Sequence, residues 1–215
     1  MTISNQRWIW AAIAACWLFF LLETGTDIWF GSQFPGYDWK KESLSYMGQA
    51  GSPIEGWVTA WGVGFSLLLL LFSVGFYKTF KQHQWVSVAT AMIVVYGLGE
   101  GIGSGLFPIN PPGTPMTADG FLHNLFSGIG DAAIVLLPLV LMGVFPKKTY
   151  AAFRKYLWSV VGIGLLMASF FLIAKYFAPD NFILHFKGVW QRLYILNYHS
   201  MLVFLSLLMK RFRNH

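Results

Sequence analysis

The sequence predicts an all-α membrane protein: a single domain over residues 1–215, six transmembrane helices in a compact bundle, both termini on the cytoplasmic side. Three observations predict it. Of 215 residues, 56% are hydrophobic and only 11% are charged. A soluble domain has about 25% charged residues, so this chain cannot clothe a water-facing surface. Six apolar stretches reach the roughly 20 residues needed to cross the hydrocarbon. The segments between them divide sharply by charge.

The stretches fall at about 8–30, 57–77, 85–107, 121–144, 157–177 and 189–209. The first follows one basic residue, Arg7, as the apolar run of a signal peptide would. No small-residue cleavage site follows it, and Glu23 and Asp27 interrupt its end, so it reads as a retained helix. On one side of the bundle lie Arg7, then Lys78 and Lys81, then Lys147, Lys148, Arg154 and Lys155, then Lys210, Arg211 and Arg213, with no acidic residue among them. The other side mixes Lys40, Lys41 and Lys187 with Asp38, Glu42, Glu55, Asp119 and Asp180. Basic segments stay in the cytoplasm, which sets the direction of every span.

The net charge of +6 therefore reads as orientation. Nucleic-acid binding is not expected, because no basic patch is interleaved with exposed aromatics. Trp8, Trp10, Trp57, Trp61, Trp85, Trp158 and Trp190 stand near span ends and read as an interfacial belt. Lys175 reads as a snorkelling side chain, Pro138 as a kink in the fourth span, and the lone Cys16 as a small packing residue. Two longer outer connections remain. Residues 31–55 are polar, and residues 108–120 carry Pro111, Pro112, Gly113 and Pro115, which exclude regular structure. Together they are expected to cover the outer mouth.

Ionisable groups inside a membrane are expensive and normally face the bundle interior. Glu23 and Asp27 lie one turn apart near the outer end of span one, and Glu100 lies at similar depth in span three. His123, Ser127 and Asp131 recur every four residues in span four and share a face. Arg192 and His199, seven residues apart, share a face of span six. An outward-facing polar cavity is the expectation. Glu23, Asp27 and Arg192 are candidate ligand-binding residues, Glu100 and Asp131 candidate catalytic residues, and His123 and His199 candidate metal ligands.

Three functions compete for this constellation. The cavity could bind a membrane lipid, a small polar ligand or protons. It could be a zinc-dependent hydrolase acting on lipid, with the histidines on the metal and a carboxylate activating water. Or the polar groups only fix helix packing, in an accessory or scaffold subunit of a membrane complex or in a homo-oligomer. No His-x-x-x-His, His-x-His or Gly-x-Ser-x-Gly motif occurs, so neither a zincin nor a serine hydrolase is written in the sequence. Gly97, Gly99, Gly101, Gly103 and Gly105 follow no strand and lack a Lys-Ser/Thr, which excludes a phosphate loop. Gly97, Gly101 and Gly105, spaced by four, read instead as a ridge for close helix contact beside Glu100.

Four short motifs stand in a telling order: Ser45-Tyr46-Met47-Gly48 after the first span, Gly105-Leu106-Phe107-Pro108 closing the third, His123 opening the fourth, and Gly188-Val189-Trp190-Gln191-Arg192 opening the sixth. In this the chain resembles the bacterial and archaeal membrane family catalogued as domain of unknown function 998. The resemblance covers nearly the whole chain and implies a six-helix protein of a bacterial or archaeal cytoplasmic membrane. Through these motifs Ser45, Gln191 and Asp119 join the candidate ligand-binding residues. The family carries an acidic residue between Phe-Pro and His; here Ile109-Asn110 follow Pro108, and Asp119 comes later. A more distant likeness links the chain to the alkaline-ceramidase and progestin-receptor group of zinc-dependent lipid amidases. That group has His-x-x-x-His on its last helix, whereas this chain has His199 alone and no seventh helix, so no ligand carries over.

Overall fold

The computed structural model describes residues 3–177 and 181–212; Asp180 and Arg213, counted among the loop charges above, lie outside them. The described residues form α1 (Ile3–Gln33), α2 (Leu44–Met47), α3 (Glu55–Phe80), α4 (Val86–Leu106), α5 (Ala118–Val144), α6 (Lys147–Tyr176), α7 (Phe182–His185) and α8 (Lys187–Phe212). Six of these are long and apolar enough to cross a membrane, and each coincides with an expected span. They pack as a closed ring in chain order, α1 against α3, then α4, α5, α6 and α8, which returns to α1. The expected spans were too short at several ends. The largest difference is α6, which begins at Lys147 and takes Lys148, Arg154 and Lys155 into the helix. The long apolar stems of these basic side chains let a helix run on into an interface. Arg154 also donates to the carbonyls of Met142 and Phe145, satisfying the open C-terminus of α5. α5 stays helical through Pro138 to Val144.

The half of the ring nearest the chain ends is solid. Phe72, Phe76, Phe80, Leu137, Leu141 and Phe145 are fully buried there, and Phe80 meets Phe145 and Phe212 edge to face with centroids 5.1 Å apart. Outward, α6 presents Ile163, Leu165 and Leu166, and α1 presents Leu18 and Leu21. Such an apolar exterior is what a helix facing lipid requires.

The opposite, distal end is closed by chain rather than by core. The two long connections meet there: the Ala50 N–H donates to the Ile109 carbonyl at 3.0 Å. Asn110 holds the second connection in shape, accepting from the Thr117 N–H at 3.1 Å and donating to the Pro115 carbonyl at 3.0 Å. Thr117 in turn caps α5 through the Gly120 N–H.

α4 contains a feature that periodicity did not reveal. Its glycine run, Gly97–Gly103, is a π-helical turn. The Ser66 hydroxyl of α3 enters the widened turn, donating to the Gly97 carbonyl at 2.6 Å and accepting from the Ile102 N–H at 2.9 Å. A side chain inserted into the backbone ladder is an established cause of such irregularity. The expected ridge is real: Gly101 and Gly105 lie directly against Gly62 of α3. A second ridge, Gly99 and Gly103, faces Phe126 and Gly130 of α5. With no Cβ on either side, α4 fits closely between two neighbours, and its one large polar residue in this stretch, Glu100, is carried toward the ring interior.

A Cβ on Gly101 would overlap Ser66 and the Gly62 carbonyl, whereas Gly162 has nothing within 4 Å. Gly101→Ala should therefore destabilise by roughly 1–3 kcal/mol, and Gly162→Ala should leave stability unchanged or slightly raised. Thermal unfolding of the two variants in one detergent checks this.

Candidate functional site

A cavity of about 600 Å³ opens inside the distal end of the ring, and all six long helices contribute to its wall. Its apolar surface comes from residues such as Phe30, Val58, Phe65, Val135, Phe171 and Leu172. Its polar floor is a set of carboxyl groups. Glu23 accepts from the Trp61 indole at 2.7 Å, Glu100 from the Ser127 hydroxyl at 2.7 Å, and Asp131 from the Tyr194 hydroxyl at 2.7 Å. Each thus holds one neutral donor, and none of the three has an ion-pair partner among the described residues. Tyr96 lines the same cavity, and its hydroxyl contacts His199 Nε2 at 2.6 Å. Lys175 is the single lysine or arginine among the described lining side chains; it reaches Asn124 Oδ1 at 3.4 Å from the rim.

Of the residues singled out from sequence, Glu23, Asp27, Ser45, Glu100, His123, Asp131 and Gln191 line this cavity. The shared face of His123, Ser127 and Asp131 is borne out, since all three point into it. Arg192 and His199 do not line it. They face a second hollow between α1 and α8, to which Glu23 and Asp27 also contribute. Asp119 is exposed at the start of α5 and lines neither.

Arg192 is fully engaged. Nε donates to Asp27 Oδ2 at 2.8 Å and Nη2 to Asp27 Oδ1 at 2.6 Å, a bidentate pair. Nη2 also donates to the Tyr37 hydroxyl at 2.7 Å, and Nη1 reaches the carbonyls of Trp39 and Gly188 at 2.9 and 3.1 Å. A guanidinium has five N–H donors, and the protein takes up all of them. Burial raises the Tyr37 pKa above its ordinary value against the opposing pull of Arg192, so Tyr37 remains a neutral phenol in this cluster.

The rest of the motif that opens α8 serves the same connection. Gln191 Oε1 accepts from the Leu44 N–H at 2.7 Å, at the free N-terminus of α2. A Cβ on Gly188 would overlap the carbonyls of Trp39 and Glu42, so only glycine allows the connection to lie this close. Met47 of the Ser45–Gly48 motif is buried with Phe30 and Ile54 beneath it.

The two histidines occupy separate surroundings. His123 Nδ1 lies 2.9 Å from the Ser104 carbonyl and 2.8 Å from the Phe107 carbonyl. Both partners are acceptors, so Nδ1 carries the proton and ties off the end of α4. His199 is packed edge-on against Phe19 with centroids 4.6 Å apart. Among the described residues no three metal-ligating side chains gather in one place, and the two histidines offer no shared ligand set.

Sequence reasoning missed Tyr96 and Tyr194 and placed Trp61 in the interfacial belt. Trp61 instead turns inward to Glu23. One signal was available: Tyr96 precedes Glu100 by four residues and Trp61 precedes Phe65 by four, so each shares a helix face with another interior residue. Trp57, Trp85 and Trp158 are exposed as a belt requires.

Fold and site together define a multi-pass α-helical membrane protein with a polar cavity within its ring of helices. The family described as protein of unknown function (DUF998) matches over residues 11–208; the chain belongs to this family. No curated protein and no solved structure matches the chain.

The Asp27–Arg192 pair yields a direct test. Its side chains are only 20% and 17% exposed, and losing one partner of a buried pair leaves the other uncompensated. Asp27→Leu or Arg192→Met alone should each cost about 3 kcal/mol, while the double replacement should cost less than the two singles summed. Both singles should speed hydrogen exchange across residues 38–48. Unfolding and exchange measured on the three variants check this.

Proposed function

We propose that the chain is a ligand-binding membrane protein whose distal cavity receives an amine-bearing polar group, from a lipid head or a small polar ligand. One observation carries this reading: an apolar-walled space of about 600 Å³ with Glu23, Glu100 and Asp131 on its floor, each tied to one neutral donor. The size is that of a small-molecule site, roughly 300–1,000 Å³, and a few convergent polar groups in an apolar wall are typical of one. The charge balance supports a cationic group. Among the described residues lining the cavity, Lys175 is the one lysine or arginine beside Glu55 and the three floor carboxyls, and Arg192, which approaches Glu23 from the neighbouring hollow, is held by Asp27. An ammonium would give these carboxyls the partner the protein withholds, through charge-assisted hydrogen bonds. With the basic segments in the cytoplasm, the cavity opens to the outer face of the membrane.

Isothermal titration of the purified full chain with ethanolamine tests the reading. Saturable binding is expected, weakened at least about tenfold by Glu100→Gln or Asp131→Asn, as removal of one charged hydrogen-bond partner implies. Ethanolamine that fails to bind the unaltered chain sinks the reading. Variants that shift the melting temperature and leave binding intact support the alternative, in which these carboxyls only set the packing of a scaffold.

A further inference from the structure

The second hollow, of about 620 Å³, lies along the seam of α1 and α8 and adjoins the distal cavity, with which it shares Glu23, Asp27, Leu44 and Ile195 in its lining. Its character differs from that of the first. At its distal end stand Tyr37, Trp39 and the Asp27–Arg192 pair; from there it runs past Thr24 and Ile28 to Phe20 and His199. Arg192 to His199 is seven residues of helix, about 10 Å toward the bilayer centre. Its flanks belong to the lipid-facing exterior, with Ile28 70% and Leu196 48% exposed. Along these flanks the groove opens toward the hydrocarbon.

We infer that the groove between α1 and α8 seats the hydrocarbon chain of a membrane amphiphile whose amine head occupies the distal cavity, so that the ligand enters sideways from the bilayer. The inference rests on the reading of the cavity given above and narrows it from any amine to one carrying an alkyl chain. Three features argue for this occupant. The two hollows adjoin at Glu23, Asp27, Leu44 and Ile195, and the head reaches the floor carboxyls by passing between these side chains. The outer hollow opens on the face that α1 and α8 turn to lipid. The polar end of the pair is acidic while the groove's own cation is neutralised in place, which matches a cationic head and an uncharged tail and disfavours an anionic lipid.

The full chain in phosphatidylcholine vesicles, given hexadecylamine with a diazirine at mid-chain, tests the inference on illumination. Adducts should concentrate on residues 20–28 and 195–199. Leu196→Trp, which fills the groove from α8, should reduce them about tenfold through overpacking of the seat. Leu207→Trp, further along the same helix and 45% exposed, should not change them. Thr24→Phe fills the groove from α1 and should match Leu196→Trp; equal melting temperatures across the three variants exclude misfolding as the cause. Adducts spread evenly over all lipid-facing helices, or unaffected by Leu196→Trp, overturn the inference. If ethanolamine still binds in that case, the cavity stands and only the tail seat fails; if it does not, both fail. Cross-links joining two copies of the chain through α1 and α8 would put protein in the groove and overturn it equally.

Discussion

The Asp27–Arg192 pair is the constraint on which the distal architecture depends. A bare guanidinium or carboxylate at this depth would be strongly unfavourable, and the bidentate pair removes that difficulty for both. The same guanidinium then collects Tyr37 and the carbonyls of Trp39 and Gly188, so one buried charge fixes α1, α8 and the connection between α1 and α3. Gly188 and Gln191 complete the docking. The connection laid down this way becomes the lid of the cavity. The partly exposed Lys187–Glu42 contact at 3.7 Å adds less, since a long, solvated pair contributes about 0–1 kcal/mol.

A second constraint acts from the other side of the ring. Ser66 and the facing glycines of α3, α4 and α5 allow α4 to approach both neighbours, and the π-helical turn changes the rotation of everything beyond it. Glu100 and His123 line one space from adjoining helices. Wide turns of this kind are frequent at functional sites, and here the turn carries the carboxyl at its centre. The His123 imidazole closes the end of α4, donating to the carbonyls of Ser104 and Phe107.

The two ends of the ring are built differently. Aromatic packing fills the half near the chain ends, where Phe72, Phe76, Phe80 and Phe145 are fully buried. At the distal end, carboxyl groups and small residues stand where large apolar side chains would otherwise fill the centre. Polar groups hold open what an apolar core would close, and each is steadied by a tyrosine, tryptophan or serine rather than by a cation.

The sequence by itself determined the class, the six spans and the gathering of acidic residues toward one end. These are properties of single helices and of the solvent around them, so hydropathy and loop charge reveal them. It also determined which faces carry polar groups, as His123, Ser127 and Asp131 illustrate. Only the tertiary structure decided that Arg192 belongs to Asp27, that Trp61 turns inward, that the two histidines stay apart, and that a second hollow adjoins the first. Those outcomes depend on how helices are rotated against one another and on where a connection settles across their ends. Contacts of that kind join residues as distant in sequence as Asp27 and Arg192, and no local pattern encodes them.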